Sequence, residues 1–252
     1  MDFTEKTVLI TGGSRGIGRA TARAFAEKGA RVAINFHSDN EAAKATIESL
    51  PGEGHFAIRA DLGSSGAVEQ MINAVVREFG RLDILVNNAG IFKLHPITEV
   101  SYDQWQQVWK DTLAINLTGA ANATYCAARH MIEAGGGRII NVSSRGAFRG
   151  EPDQPAYGAS KAAMNAMGQS LAQALAPYNI FIGTVAPGFV ETDMAKAWLE
   201  GEEGDSIRRQ SPLQRVAQPE EVALGILFLA SEGSEFMTGA ILDINGASYL
   251  RS

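Results

Sequence analysis

Thr7-Val8-Leu9-Ile10-Thr11-Gly12-Gly13-Ser14-Arg15-Gly16-Ile17-Gly18 decides the fold, because a short apolar run passes directly into a glycine-rich turn and then into amphipathic sequence. β-branched apolar residues favour a strand, and the small residues after it let a backbone come close to a phosphate. A helix opening at Gly16 turns its unpaired N–H groups and its partial positive charge toward the same place. The spacing is Gly-x-x-x-Gly-x-Gly, which differs from Gly-x-Gly-x-x-Gly but follows the same physical logic. Taken alone, the glycines would also suit a turn that needs positive φ.

Outward from this turn, apolar runs alternate with longer amphipathic stretches, the pattern of repeated βαβ units and a parallel sheet covered on both faces. Strands are expected at 7–11, 31–36, 55–60, 83–87, 138–143, 180–186 and 240–244, and helices at 16–28, 39–50, 64–79, 101–133 (with an irregularity), 156–176 and 219–231. The expected fold is α/β, a single doubly wound Rossmann domain over residues 1–252. Residues 189–217 break the alternation and carry the acidic patch Glu200-Gly201-Glu202-Glu203-Gly204-Asp205. A long irregular insertion at the carboxyl edge of a sheet reads as a substrate lid, and its acids read as a solvated helical face.

Composition narrows the function classes. The 252 residues are 45% hydrophobic and 20% charged with net charge −6, near the globular average. Without a Lys/Arg run there is no electrostatic footprint for nucleic acid. The longest apolar stretch, Val222–Ala230, is too short to span a bilayer, and the amino end lacks the regions of a signal peptide. A soluble cytoplasmic protein with no membrane partner is expected, and the one cysteine, Cys126, reads as a buried structural thiol. His37, His55, His95 and His130 have no metal-ligand spacing; each reads as structural or exposed, and no metal is expected.

Tyr157 and Lys161 stand four residues apart, on one face if the segment is helical. A free tyrosine has a pKa near 10. An ammonium about 4 Å away, at an effective dielectric near 20, would favour the phenolate by roughly 4 kcal/mol, or about 3 pKa units. Such a pair also occurs on ordinary helices without any chemical role. Ser144 lies thirteen residues before the tyrosine.

Together with Asp61-Leu62, Asn87-Asn88-Ala89-Gly90, Asn116 in Ile115-Asn116-Leu117-Thr118-Gly119, Ile140-Asn141-Val142-Ser143-Ser144 and Pro187-Gly188-Phe189-Val190-Glu191-Thr192, these residues resemble the short-chain dehydrogenase/reductase family of the Tyr-x-x-x-Lys type. The match covers nearly the whole chain and looks most like 3-oxoacyl-(acyl-carrier-protein) reductase-like members. The resemblance implies strand order 3-2-1-4-5-6-7, a homotetramer, and conversion between a carbonyl and a secondary alcohol. It makes Tyr157 the general acid of reduction, Ser144 a second hydrogen-bond donor to the carbonyl oxygen, Lys161 the cation beside the tyrosine and the ribose, and Asn116 the anchor of a proton-relaying water. Ser143 is then structural.

For the cofactor, the resemblance assigns Gly12, Ser14, Arg15, Gly16, Ile17 and Gly18 to the pyrophosphate turn, and Asn35, Phe36, His37 and Ser38 to the adenosine ribose. Asp61 and Leu62 go to the adenine, Asn88, Ala89 and Gly90 to the cleft floor, and Pro187, Gly188, Val190 and Thr192, with Tyr157 and Lys161, to the nicotinamide end. Asp61 would alternatively cap the next helix. Neither Asn35 nor Phe36 is acidic and Arg15 is placed for a phosphate, so NADP(H) is favoured and NAD(H) possible. Asp39 is the counter-argument, although it reads more easily as a helix cap. An exposed, unpaired Arg15 is the other alternative.

Two departures from the family pattern are the paired tryptophans Trp105 and Trp109, which imply an extra turn, and Asn245-Gly246-Ala247 where two glycines are common. Arg145 and Arg149 suit an anionic substrate or surface ion pairs. Phe92, Leu94, Phe148, Phe189, Met194 and Trp198 suit a pocket wall or core packing. The substrate readings are a 3-oxoacyl thioester, or a sugar, polyol or xenobiotic carbonyl. A non-catalytic redox sensor is the reading from another class.

Overall fold

The structure, a computed structural model, describes residues 1–251. Its sheet runs in the order β3 (Phe56–Arg59), β2 (Arg31–Phe36), β1 (Thr7–Ile10), β4 (Ile84–Asn87), β5 (Gly137–Val142), β6 (Ile180–Pro187), β7 (Ile241–Ile244). Neighbouring strands are parallel throughout. Side chains alternate between faces, so Val8 and Ile10 enter one core with Phe25, Ile34 and Ile226, while Leu9 enters the other with Met71, Ile72, Met131 and Ile139. The first core lies under α1 (Gly16–Ala26) and α10 (Pro219–Ala230), the second under α3 (Ser65–Phe79) and α5 (Ala120–Glu133).

Local signals set the helix ends. The Asp39 carboxylate accepts the Ala42 N–H at 3.0 Å and caps α2 (Asn40–Glu48), which is the cap reading of that aspartate. Ser64, not Asp61, caps α3, which stops at Gly80 with φ 81°. Ser101 and Gln104 form a reciprocal capping box on α4 (Tyr102–Leu113). The irregularity expected before residue 133 is a π turn over Ala114–Gly119, between α4 and α5.

The stretch 189–217 is not irregular. It folds as α8 (Asp193–Glu200) and α9 (Gly204–Arg209) around a small core of Ala195, Leu199, Ile207 and Val216, with Phe189 and Trp198 against it. Its two ends are tied by bonds from Glu191 N to Ala217 O and from Ala217 N to Phe189 O. The acids at 200, 202, 203 and 205 are exposed. A one-turn helix, α6 (Gly146–Arg149), precedes α7 (Pro155–Leu175), which starts with proline at its first position. Among the described residues no helix is long and apolar enough to cross a membrane.

Because every strand is parallel, all the loops that carry the sequence motifs leave the same edge of the sheet. The chain winds outward from β1 toward β3 and from β4 toward β7, which opens a crevice between β1 and β4 where such folds bind ligands.

Candidate active site

Three elements converge beyond the ends of β4 and β5. The β5 end supplies Ser143 and Ser144, α7 supplies Tyr157 and Lys161, and the π turn supplies Asn116. Lys161 is buried and its Nζ donates to Val142 O at 2.7 Å, while its own carbonyl accepts the Ser143 hydroxyl at 3.3 Å. Ser143 thus braces β5 against α7. Ser144 Oγ accepts the Gly146 N–H at 3.0 Å, which leaves its hydroxyl hydrogen available to an oxygen in the cleft. The Tyr157 ring meets Phe92 edge-on at 4.9 Å between centroids, and the Lys161 ammonium lies 5.7 Å from the Tyr157 ring centre.

Burial governs titration here. It pushes the Tyr157 phenol up to about 12, with the Ser144 hydroxyl opposing the rise and the Glu151 charge adding to it. Burial likewise pulls Lys161 down to about 8. In the free protein the phenol therefore sits above its ordinary value, where the spacing led us to expect a lowering. One of the three ammonium hydrogens goes to Val142 O, and desolvation of the phenolate is the largest influence on the phenol.

Asn116 is fully buried. Its Oδ1 accepts the Ile91 N–H at 2.8 Å, and its Nδ2 donates to Ile91 O at 3.0 Å and to Ser160 Oγ at 3.2 Å. The side chain clasps Ile91 and reaches α7 through Ser160, with one Oδ1 lone pair left unused.

The crevice fits a dinucleotide by its own geometry. Gly12 and Gly16 hold φ of 64° and 52°, which other residues adopt only with strain. A Cβ on Gly18 would stand 2.7 Å from Asn88 Nδ2 and 2.9 Å from Gly13 Cα, and closer still to Gly12 O. The turn is fixed from behind: Asn88 Nδ2 donates to Thr11 O at 2.9 Å and Gly12 O at 3.0 Å, and Thr11 Oγ1 accepts the Asn88 and Ala89 N–H groups. A Cβ on Gly16 would stand 3.1 Å from Thr192 Cγ2, so the glycine turn and the segment after β6 face each other across the crevice. Arg15, at the start of α1, is exposed and caps nothing. Gly90 closes the floor, where a Cβ would stand 3.5 Å from Lys161 Nζ.

Several assigned positions turn inward. Asn35 and Phe36 are buried; Asn35 Oδ1 accepts Gly12 N at 3.3 Å and Nδ2 donates to Ala60 O at 3.1 Å. Asn35 thus supports the turn from below. Leu62 and Val190 are core residues and Ser14 is buried. In a sheet covered on both faces no alternation tells which way a residue points. Ile17 packs partly against the core. His37, Ser38 and Asp61 are exposed, with His37 Nδ1 3.9 Å from Asp61 Oδ1. Pro187 is buried and its carbonyl accepts the Arg145 N–H at 2.8 Å, while Gly188 donates to Ile244 O at 3.0 Å.

Two further residues belong to this neighbourhood. Arg59 ends β3 and its Nε donates to His37 O at 2.9 Å, which sets a guanidinium beside the end of β2; the strand order was the signal for it. Glu151 packs its side chain on Gly146, where a Cβ would stand 2.8 Å from Glu151 Cγ, and burial raises its pKa. Arg145, 3% exposed, donates to Ser248 Oγ at 2.6 Å and stacks on Phe189, and burial pulls it down to about 10. Leu94 and Met194 are more than half exposed, Phe148 stacks with Arg251, and Phe189 and Trp198 pack on the core of the 189–217 segment.

A doubly wound parallel sheet with a phosphate-sized glycine turn and a Ser–Tyr–Lys cluster at its switch point defines a class, the dinucleotide-binding oxidoreductases. Residues 12–247 match the family model described as enoyl-(acyl carrier protein) reductase. The chain is 38% identical over 247 residues to the 3-oxoacyl-(acyl-carrier-protein) reductase FabG of Staphylococcus aureus, covering 97% of this chain and 98% of that one. It is 35% identical over 245 residues to an uncharacterized oxidoreductase of Methylorubrum extorquens, covering 96% of each. A short chain dehydrogenase from Burkholderia cenocepacia, solved in complex with NADP, superposes with TM-score 0.89 at 34% identity, over 98% of this chain and 99% of that one. The chain belongs to the short-chain dehydrogenase/reductase family.

Proposed function

We propose that the protein is an NADP(H)-dependent reductase that interconverts a carbonyl and a secondary alcohol, with a 3-oxoacyl thioester as its substrate class. One observation carries the chemistry: Ser144, Tyr157 and Lys161, with Asn116 behind them, converge at the switch point of a sheet whose glycine turn accepts a pyrophosphate. The bound cofactor supplies the hydride. Tyr157, protonated throughout the neutral range, donates its proton to the carbonyl oxygen. Ser144 donates a second hydrogen bond to that oxygen as negative charge develops on it. Lys161 holds the ribose hydroxyls and stabilises the phenolate left behind.

The NADP preference rests on Arg15 and Arg59 at the ribose end and on the absence of an acid at the end of β2, and the NADP-bound Burkholderia relative supports it. The thioester reading rests on the FabG relatives. The segment 189–217, a compact two-helix unit tied at both ends, acts as the substrate lid. A homotetramer is part of the same reading, and exposed Leu224, Phe228 and Leu242 on α10 and β7 supply an apolar face for it; light scattering tests the assembly.

NADPH and NADH consumption, measured across β-ketoacyl thioesters, diketones, sugars and quinones, tests the function. Turnover of thioesters above the other classes supports it. Tight cofactor binding without turnover of any carbonyl would instead favour a redox sensor.

A further inference from the structure

Helix α7 carries Tyr157 in its first turn, yet its N-cap residue, Gln154, makes no side-chain cap bond. The first N–H groups of a helix have no partner within it. At α7 one of them is met from far along the chain: Ala156 N donates to His95 Nε2 at 3.2 Å. His95 is fully buried, its Nδ1 lies 2.8 Å from Lys93 O, and its main-chain N–H donates to Asp153 O at 2.8 Å. Those partners fix the tautomer. Nε2 must accept from an N–H, so the ring is neutral and carries its proton on Nδ1, which donates to Lys93 O.

We infer that His95 is a positioning residue for Tyr157, capping the catalytic helix in trans from the loop after β4; this rests on the reductase reading above. The same short loop is fixed to the π turn and to α7. Asn116 clasps Ile91, Phe92 sets its ring against Tyr157, and His95 holds the amide immediately before Tyr157. Trp105 packs on the imidazole at 5.4 Å between centroids, and Trp109 on Trp105 at 5.8 Å, which seals this bond from water. The phenol's direction is therefore set by a hydrogen bond that no local sequence pattern encodes.

The test compares His95→Gln, which keeps an acceptor for Ala156 and a donor for Lys93 O, with His95→Met, of similar length, and His95→Phe, which keeps the stacking on Trp105. Three quantities are read: kcat and KM with a turned-over carbonyl and NADPH, NADPH affinity, and hydrogen exchange of the Ala156 amide in the free protein. A positioning role predicts kcat near wild type for His95→Gln. For the Met and Phe variants it predicts a loss of roughly tenfold in kcat with little change in KM or NADPH affinity, and faster exchange at Ala156. A packing role predicts the reverse order, Phe better than Gln, and that result overturns the inference. So does wild-type kcat in a folded Met or Phe variant. If neither apolar variant folds, His95→Gln decides alone: wild-type kcat and exchange support the cap, and a tenfold loss at unchanged melting temperature refutes it. Exchange in the free protein reads the cap even where no carbonyl is turned over, so failure of the cap and failure of the reductase reading stay distinct.

Discussion

Gly18→Ala is the sharpest structural perturbation of the crevice. The added methyl would stand 2.7 Å from Asn88 Nδ2 and 2.9 Å from Gly13 Cα, and nearer still to Gly12 O. Two of these three are main-chain atoms, so rotamer adjustment cannot relieve the contact. Relief requires α1 to move off the turn, or Asn88 to give up its bonds to Thr11 O and Gly12 O at 2.9 and 3.0 Å. Overpacking costs about 1–3 kcal/mol and each lost hydrogen bond about 1 kcal/mol, for a total near 3 kcal/mol. In a chain of this length that corresponds to a fall in Tm of about 6–12 °C. The same displacement opens the pyrophosphate turn, so NADPH affinity should fall by about 100-fold or more, roughly 3 kcal/mol. Gly66→Ala is the control: Gly66 is exposed in the first turn of α3, with nothing within 4 Å of its added Cβ. It should raise stability by up to about 0.5–1 kcal/mol. Thermal melting and NADPH titration by fluorescence measure both variants. Gly18→Ala with wild-type Tm and NADPH affinity would refute the reasoning.

Other consequences are equally open to measurement. Arg15→Ala should weaken NADPH far more than NADH in equilibrium titrations, and equal weakening contradicts a contact to the 2′-phosphate. Glu151→Gln removes a negative charge that raises the Tyr157 pKa; since the phenol is the acid of reduction, the alkaline limb of the reduction profile should move to lower pH, and an unmoved limb rules this out. Glu221, held at about 2 by the Arg215 guanidinium at 2.6 and 2.7 Å and by Gln218 N–H, stabilises the fold above its ordinary pKa and loses that contribution as pH falls toward 2. Both side chains are exposed, so solvent screening keeps the pair's contribution small. Glu221→Gln should lower Tm slightly at neutral pH, and a gap that fails to narrow on acidification counts against the pairing.

Much of this molecule was legible before its structure. The alternation of apolar runs gave the strands within one or two residues, and Asp39 was readable as the cap of the helix that follows it. The strand order came with the family motifs, because nothing in a buried strand tells which neighbour it takes. What stayed hidden depends on contacts between distant segments. Asn35 and Leu62 turn inward although they sit within matching motifs. His95 meets Ala156 across 61 positions, and Arg59 reaches His37 only because β3 lies beside β2. The helices of 189–217 escaped notice because each is short and their small core is shared between segments. The raised titration of Tyr157 was hidden for a different reason: the i, i+4 spacing of Lys161 is visible in the sequence, but the burial of the phenol that raises it is not.

The account stands most directly on the phenol of residue 157. Tyr157→Phe keeps the ring and its edge-on contact with Phe92 while removing only the transferable proton. It should bind NADPH as wild type does by equilibrium titration, while kcat/KM for carbonyl reduction falls by at least about 100-fold. Reduction that persists at the wild-type rate, or a loss of NADPH affinity as large as the loss of rate, would contradict the account.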